Sequence, residues 1–142
     1  MEKTNRQILI AISLFFLALV GPLLLIPLEK FLPYPYIIEE IAKLLLVLLV
    51  LQLTGKIFQL KLAIFIAFLF AFSESFFYLT NFIEAENLTG FIQRFFLAGI
   101  LHIFTILVIL IPSQKKGILI LPAAGIAMLA HYLFNQIVMS LL

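Results

Sequence analysis

The sequence of 142 residues contains no cysteine and no tryptophan, and only 11% of its residues are charged. The absence of cysteine excludes disulfides, thiolate metal ligands and a cysteine nucleophile, and it leaves the redox compartment undetermined. Soluble domains carry about 25% charged residues, so this low charge argues against a soluble fold. Nothing in the sequence implies an organic cofactor or a nucleic-acid partner.

Apolar residues dominate what is present, since 65% of the sequence is hydrophobic. A soluble core of this size could not bury so much leucine, isoleucine and phenylalanine, whereas a lipid bilayer accepts these side chains. Five apolar stretches, each near the ~20 residues that a spanning helix needs, alternate with short polar, proline or glycine segments. They predict a single all-α transmembrane domain over residues 1–142, with helices at 7–27, 36–54, 59–80, 92–112 and 117–140.

The basic residues are distributed unequally between the two sides of such a bundle. On the side of the N-terminus lie Lys3, Arg6, Lys56, Lys61, Lys115 and Lys116, whereas the other side has only Lys30 among its loop residues and Arg94 at the start of a helix. An excess of Lys and Arg marks the cytoplasmic side. We therefore expect a plasma-membrane protein with a cytoplasmic N-terminus and an extracytoplasmic C-terminus. The first stretch could instead be a signal peptide, although its ~19 apolar residues exceed the usual 7 to 15.

Polar side chains lie inside the predicted spans, where a charge costs at least ~2.5 to 3.5 kcal/mol. From a rise of 1.5 Å per residue, all of them fall within roughly 15 Å of the outer surface. We therefore expect helices 2–5 to enclose a polar cavity open to the outside, with helix 1 peripheral. The residues concerned are Glu39, Glu40, Lys43, Glu74, His102, His131 and Asn135, with Arg94 near a boundary.

These residue types suit hydrolysis of a peptide bond by an activated water molecule. We expect Glu39 to act as the base with help from Glu74 and His102, and Lys43 to neutralise a neighbouring glutamate one turn away. His131 and Asn135 are expected to donate hydrogen bonds to the oxyanion. Glutamate with two histidines could also bind zinc, but the helical HExxH spacing of zinc proteases is absent.

Four segments in order resemble the motifs of PrsW-type glutamic intramembrane proteases, distant relatives of the CAAX-processing and bacteriocin-immunity membrane proteases. Residues 39–43, Glu-Glu-Ile-Ala-Lys, resemble the EExxK motif, and residues 70–78, from Phe70 to Tyr78, resemble the second motif. Arg94 followed by His102 and Thr105 resembles the third, and residues 131–135 are similar to the closing HxxxN. Ser75 departs from the pattern, because the family usually has asparagine there, and the chain is shorter than most members.

The resemblance implies cleavage of a membrane-anchored protein, such as an anti-sigma factor, near the extracytoplasmic face, with Tyr78, Lys43 and Arg94 as supporting residues. Each residue also has a structural interpretation. Lys43 could form only a packing ion pair, a single histidine could join helices by hydrogen bonds, and Arg94 could anchor a helix end.

Three other functions stay open at this point. They are a non-catalytic scaffold or immunity-type protein of the same superfamily, a metal-dependent protease, and a proton or ion pathway. The last is disfavoured because the inner halves of the predicted helices lack ionisable residues.

Overall fold

The computed structural model describes residues 2–84 and 86–141, excluding the side chains of residues 2, 3, 78, 80–82 and 139–141. This part of the chain is 90% helical and contains no strand, which confirms the predicted all-α bundle. The helices are α1 (Glu2–Phe31), α2 (Pro35–Val50), α3 (Lys56–Glu84), α4 (Leu88–Ser113) and α5 (Ile120–Leu141), and a 3-10 turn at Gly117–Leu119 leads into α5.

The connections between the helices carry the residues that such turns require. Pro35 begins α2, where its fixed φ angle suits the first turn of a helix. Gly55 separates α2 from α3 with φ of +89°, a conformation that a glycine adopts without strain. Asn87 caps α4, because its Oδ1 accepts a hydrogen bond of 2.9 Å from the backbone N–H of Gly90.

Four helices, α1, α3, α4 and α5, contain spans that are long and apolar enough to cross a membrane. The predicted span at 36–54 is the exception, since α2 ends at Val50 and has 16 residues. At 1.5 Å per residue it covers roughly 24 Å, less than the ~30 Å hydrocarbon core. At its end, the carbonyls of Leu49 and Val50 accept turn hydrogen bonds from the N–H groups of Gln52 and Leu53, and Gln59 Nε2 donates to the Leu53 carbonyl at 2.7 Å.

Helix α1 is longer than predicted, because the expected break at Pro27 does not occur and the helix continues to Phe31. It contains both Pro22 and Pro27. Prolines are tolerated in transmembrane helices where neighbouring groups satisfy the freed backbone. The extension places Glu29 on the helix rather than in the outer loop where the sequence predicted it.

The buried apolar side chains and the polar side chains of the site occupy different halves of the bundle along its length. Helix α1 packs on α2 and α3, α4 packs on α3 and α5, and α2 packs on all four other helices. The buried apolar core fills the half that carries the N-terminus, and it includes Leu14, Ala18, Val47, Ile66, Ile109, Leu110 and Ala124. The other half holds the polar side chains of the site.

Candidate active site

Helix α2 contributes two glutamates and a lysine, and Glu40 and Lys43 form a wholly buried ion pair. Lys43 Nζ donates to Glu40 Oε1 at 2.5 Å, with both side chains 0% exposed. The same Nζ donates to Thr105 Oγ1 on α4 at 3.1 Å, and that hydroxyl donates to the His102 carbonyl at 3.3 Å. A buried charge needs such partners. The pair therefore fixes α2 against α4 beside His102.

His131 on α5 lies between the two adjacent glutamates. Its Nδ1 is 2.7 Å from Glu40 Oε1, and its Nε2 is 3.7 Å from Glu39 Oε2. A carboxylate can only accept a hydrogen bond, so Nδ1 is the nitrogen that carries a proton, and this assigns the tautomer from the bonding. The second nitrogen of the ring is left facing Glu39.

Glu74 on α3 forms a second carboxylate and histidine pair with His102 on α4. His102 Nε2 donates to Glu74 Oε2 at 2.6 Å, and Arg94 Nη2 lies 3.6 Å from Glu74 Oε1. The His102 ring is 1% exposed, and its Nδ1 has no hydrogen-bond partner among the described residues. Its centroid lies 5.8 Å from that of His131, edge to face, so the two pairs adjoin each other.

Two cavities meet at Glu39 and Glu74. One, of about 290 Å³, is bordered by α1, α2 and α3, and its lining includes Glu29, Lys30 and Phe70. The other, of about 200 Å³, is bordered by α2 to α5 and is lined by Pro35, Glu39, Glu74, Arg94, Leu97, Ala98, Leu101, His131, Phe134, Asn135 and Val138. Glu39 and Glu74 therefore line both cavities and lie at the boundary between them.

The two neighbouring glutamates differ in their surroundings. Glu39 lines both cavities, and its Oε2 accepts no hydrogen bond from the described residues. Glu40 is 0% exposed, is held by Lys43 and His131, and is absent from the described linings of both cavities. Of the two, Glu39 is the one whose oxygen could contact a water molecule or a substrate.

The structure brings the predicted site residues of all four helices together in one half of the bundle. Arg94 points to Glu74, and Asn135 lines the second cavity with His131. The side chain of Tyr78 lies outside the described residues. Ser75 turns away, because it lines an apolar pocket of phenylalanines and its buried hydroxyl has no hydrogen-bond partner among the described side chains.

Two residues of the site were missed by the sequence analysis. Glu29 reaches the first cavity because α1 continues through Pro27, and the only sequence signal was the apolar pattern that resumes after that proline. Thr105 was noted in a motif and not assigned to the site, although it is the hydrogen-bond partner of Lys43 on α4. A neutral hydroxyl in an apolar helix gives no charge signal by which to recognise it.

Glu39, Glu74 and His102 could also hold a metal ion. One ligand atom from each lies within 4.8 Å of the other two, and carboxylate oxygen and imidazole nitrogen are both zinc ligands. In the arrangement observed, Glu74 and His102 hydrogen-bond each other directly. A metal ion would have to replace that bond.

A scan against protein-family models, a search of curated proteins and a search of solved structures each found no match. Function therefore has to be inferred from the side chains and cavities of the site.

Proposed function

We propose that this protein is an intramembrane endopeptidase of the PrsW type, which hydrolyses a peptide bond with water activated by a glutamate. The observation that carries the proposal is the position of Glu39. Its Oε2 is buried, accepts no hydrogen bond from the described residues and lies 3.7 Å from His131 Nε2. The Glu39 residue lines both cavities. A carboxylate with a free oxygen beside a cavity within a bundle of apolar helices is placed to take a proton from water.

In the proposed reaction, a water molecule in the cavity attacks the carbonyl carbon of the peptide bond while Glu39 takes one of its protons. The tetrahedral intermediate then collapses, the C–N bond breaks, and Glu39 returns the proton to the departing amine. Glu74 is held by His102 and Arg94. It lines the same two cavities as Glu39 and orients the water.

The oxyanion of the intermediate needs hydrogen-bond donors at the position where its negative charge develops. Asn135 and His131 both line the second cavity with Glu39. The amide of Asn135 donates one hydrogen bond, and Nε2 of His131 donates another when the ring is protonated. Glu40 and Lys43 are positioning residues, because they hold His131 through its Nδ1.

The substrate proposed from the resemblance is a membrane-anchored protein such as an anti-sigma factor. The polar half of the bundle is the half away from the basic residues at the N-terminal end, and basic residues favour the cytoplasmic side. Cleavage is accordingly proposed near the extracytoplasmic face, with the N-terminus cytoplasmic. There the unwound backbone of a substrate helix can find water.

Replacing Glu39 or Glu74 by glutamine tests the mechanism, because each change keeps the size of the side chain and removes the carboxylate. Loss of a general base lowers the rate by about 100- to 10,000-fold. The control is Glu84→Gln at the exposed end of α3, which is expected to keep full activity. Full activity of the Glu39→Gln protein would remove Glu39 from the mechanism.

A metal-dependent protease is the second candidate, and the grouping of Glu39, Glu74 and His102 favours it. A metalloenzyme loses its activated water when the ion is removed. The glutamic mechanism predicts that activity persists through prolonged chelation. Activity that is lost to a chelator and restored by zinc would favour the metal mechanism instead.

A further inference from the structure

An apolar groove of about 540 Å³ lies between α4 and α5, on the surface of the bundle. Each helix contributes a stripe at helical spacing, so the groove runs along both. The lining is Phe104, Leu107, Val108, Ile111 and Pro112 from α4, and Leu119, Pro122, Ala123 and Ile126 from the start of α5 and the turn before it.

The groove lies away from the candidate active site. Phe104 follows His102 by two positions, and residues two apart on a helix point about 200° apart. His102 is 1% exposed and Phe104 is 52% exposed, so α4 presents one face to the site and the other to the lipid. A change in the groove therefore does not touch the proposed catalytic residues.

Two exposed lysines, Lys115 and Lys116, lie in the loop that follows Pro112 at the end of the groove. The backbone N–H groups of Lys115 and Lys116 both donate to the carbonyl of Pro112 at 3.0 Å, and Pro112 lines the groove. The loop is thereby held tightly at the groove's end. Lys56 lies nearby, because Gln114 Nε2 donates to its carbonyl at 3.3 Å.

We propose that the groove is a binding site for an anionic phospholipid, with an acyl chain between α4 and α5 and the phosphate at Lys115 and Lys116. The lining is entirely apolar, which suits a hydrocarbon chain. The exposed Lys115 and Lys116 lie beside the Pro112 end of this lining, where the headgroup would stand when the acyl chain fills the groove. Basic pockets between transmembrane helices at the cytoplasmic side bind anionic headgroups in this way.

The absence of tryptophan allows a direct test with a single fluorescent reporter. Phe104→Trp places it in the groove, and Phe65→Trp on α3 is the matched control outside it. Both phenylalanines are about half exposed, at 52% and 47%, and each lies roughly 13 Å from the end of its helix next to the basic loops. Lys61 lies one turn from Phe65, so the control reporter also has an exposed lysine near it. Each protein is reconstituted in phosphatidylcholine with a small fraction of phosphatidylglycerol whose acyl chains are brominated, and quenching is compared with that by brominated phosphatidylcholine.

We expect quenching of Phe104→Trp to show a preference for phosphatidylglycerol at least about fivefold above that of Phe65→Trp, the contribution of one lysine near an anionic headgroup. Adding Lys115→Gln and Lys116→Gln should abolish the excess, whereas adding Lys3→Gln and Lys61→Gln, which removes equal charge from helices outside the groove, should retain it.

Three results would overturn the proposal. Equal preference at both reporters would mean only a general attraction of anionic lipid to the basic end. A preference that survives Lys115→Gln and Lys116→Gln would mean that these lysines do not bind the headgroup. A groove reporter that neither lipid quenches would mean that a protein, such as a second copy of the chain, occupies the groove. Phosphatidylglycerol retained by the unaltered protein in native mass spectrometry checks the result without any substitution.

Discussion

At the scale of single residues, adjacent glutamates have different surroundings because neighbouring positions on a helix point about 100° apart. The sequence alone predicts that Glu39 and Glu40 should have different roles. It cannot say which one faces the cavity, because that depends on the rotation of α2 against α5. Packing decides it, since His131 and Lys43 hold Glu40, whereas Oε2 of Glu39 accepts no hydrogen bond from any residue that the structure describes.

The buried pair of Glu40 and Lys43 predicts strong coupling in a double-mutant cycle. Glu40→Leu or Lys43→Met alone leaves the other charge buried without its partner, which destabilises a protein by about 3–5 kcal/mol. The double variant removes both charges and should lose much less than the sum. The free energy of unfolding in detergent micelles measures this for all four proteins. Strictly additive losses would contradict the pairing, and Glu84→Gln should change the value by less than about 0.5 kcal/mol.

At the scale of helices, hydrophobic stretches predicted the existence and order of all five, and the boundaries were less predictable. The sequence predicts that the first helix ends at Pro27, but a helix among other helices tolerates proline where its backbone groups are satisfied. The sequence also predicts helix over residues 51–54, but these residues form turns beside Gln59. Both differences depend on neighbours that a linear pattern does not contain. Because α1 continues past Pro27, Glu29 lies on this helix and lines the first cavity, which the sequence did not predict.

The cap of α4 predicts a stability effect separate from activity. Asn87 Oδ1 accepts a hydrogen bond from the backbone N–H of Gly90, and loss of such a cap costs about 0.5–2 kcal/mol. Asn87→Ala should therefore lower the free energy of unfolding by this amount, while Asn87→Asp, which keeps an acceptor, should lose little. Both proteins should retain activity, since the cap lies about four turns from His102 on α4. Equal stability of the alanine variant and the unaltered protein would contradict the cap.

At the scale of the whole molecule, the buried apolar core fills one half of the bundle and the polar side chains fill the other. The sequence indicated this division, because residue positions along predicted helices convert directly to depth. It could not indicate that two cavities meet at Glu39 and Glu74, since these cavities arise where the side chains of neighbouring helices do not fill the space between them. The position of Ser75, which lines an apolar pocket instead of the site, likewise depends on packing between helices.

The proposed orientation predicts which side of the membrane reaches the site. Because the native chain has no cysteine, Leu97→Cys and Phe134→Cys each place one thiol in the second cavity, whose lining includes both positions. A membrane-impermeant thiol reagent should label both from the extracytoplasmic side. Lys115→Cys should react only from the cytoplasmic side, and Ala63→Cys, buried in the core, should not react. Labelling of the cavity positions from the cytoplasm alone would reverse the orientation.

The proposed protease activity is tested most directly by incubating the purified protein in liposomes with single-span membrane proteins and mapping any products by mass spectrometry. The unaltered protein should cut a substrate in its outer juxtamembrane segment, without another protein present, and Glu39→Gln should abolish the cut while Glu84→Gln retains it. If the folded protein cuts none of the substrates, the scaffold interpretation is favoured. If Glu39→Gln cuts as fast as the unaltered protein, the glutamate mechanism is wrong.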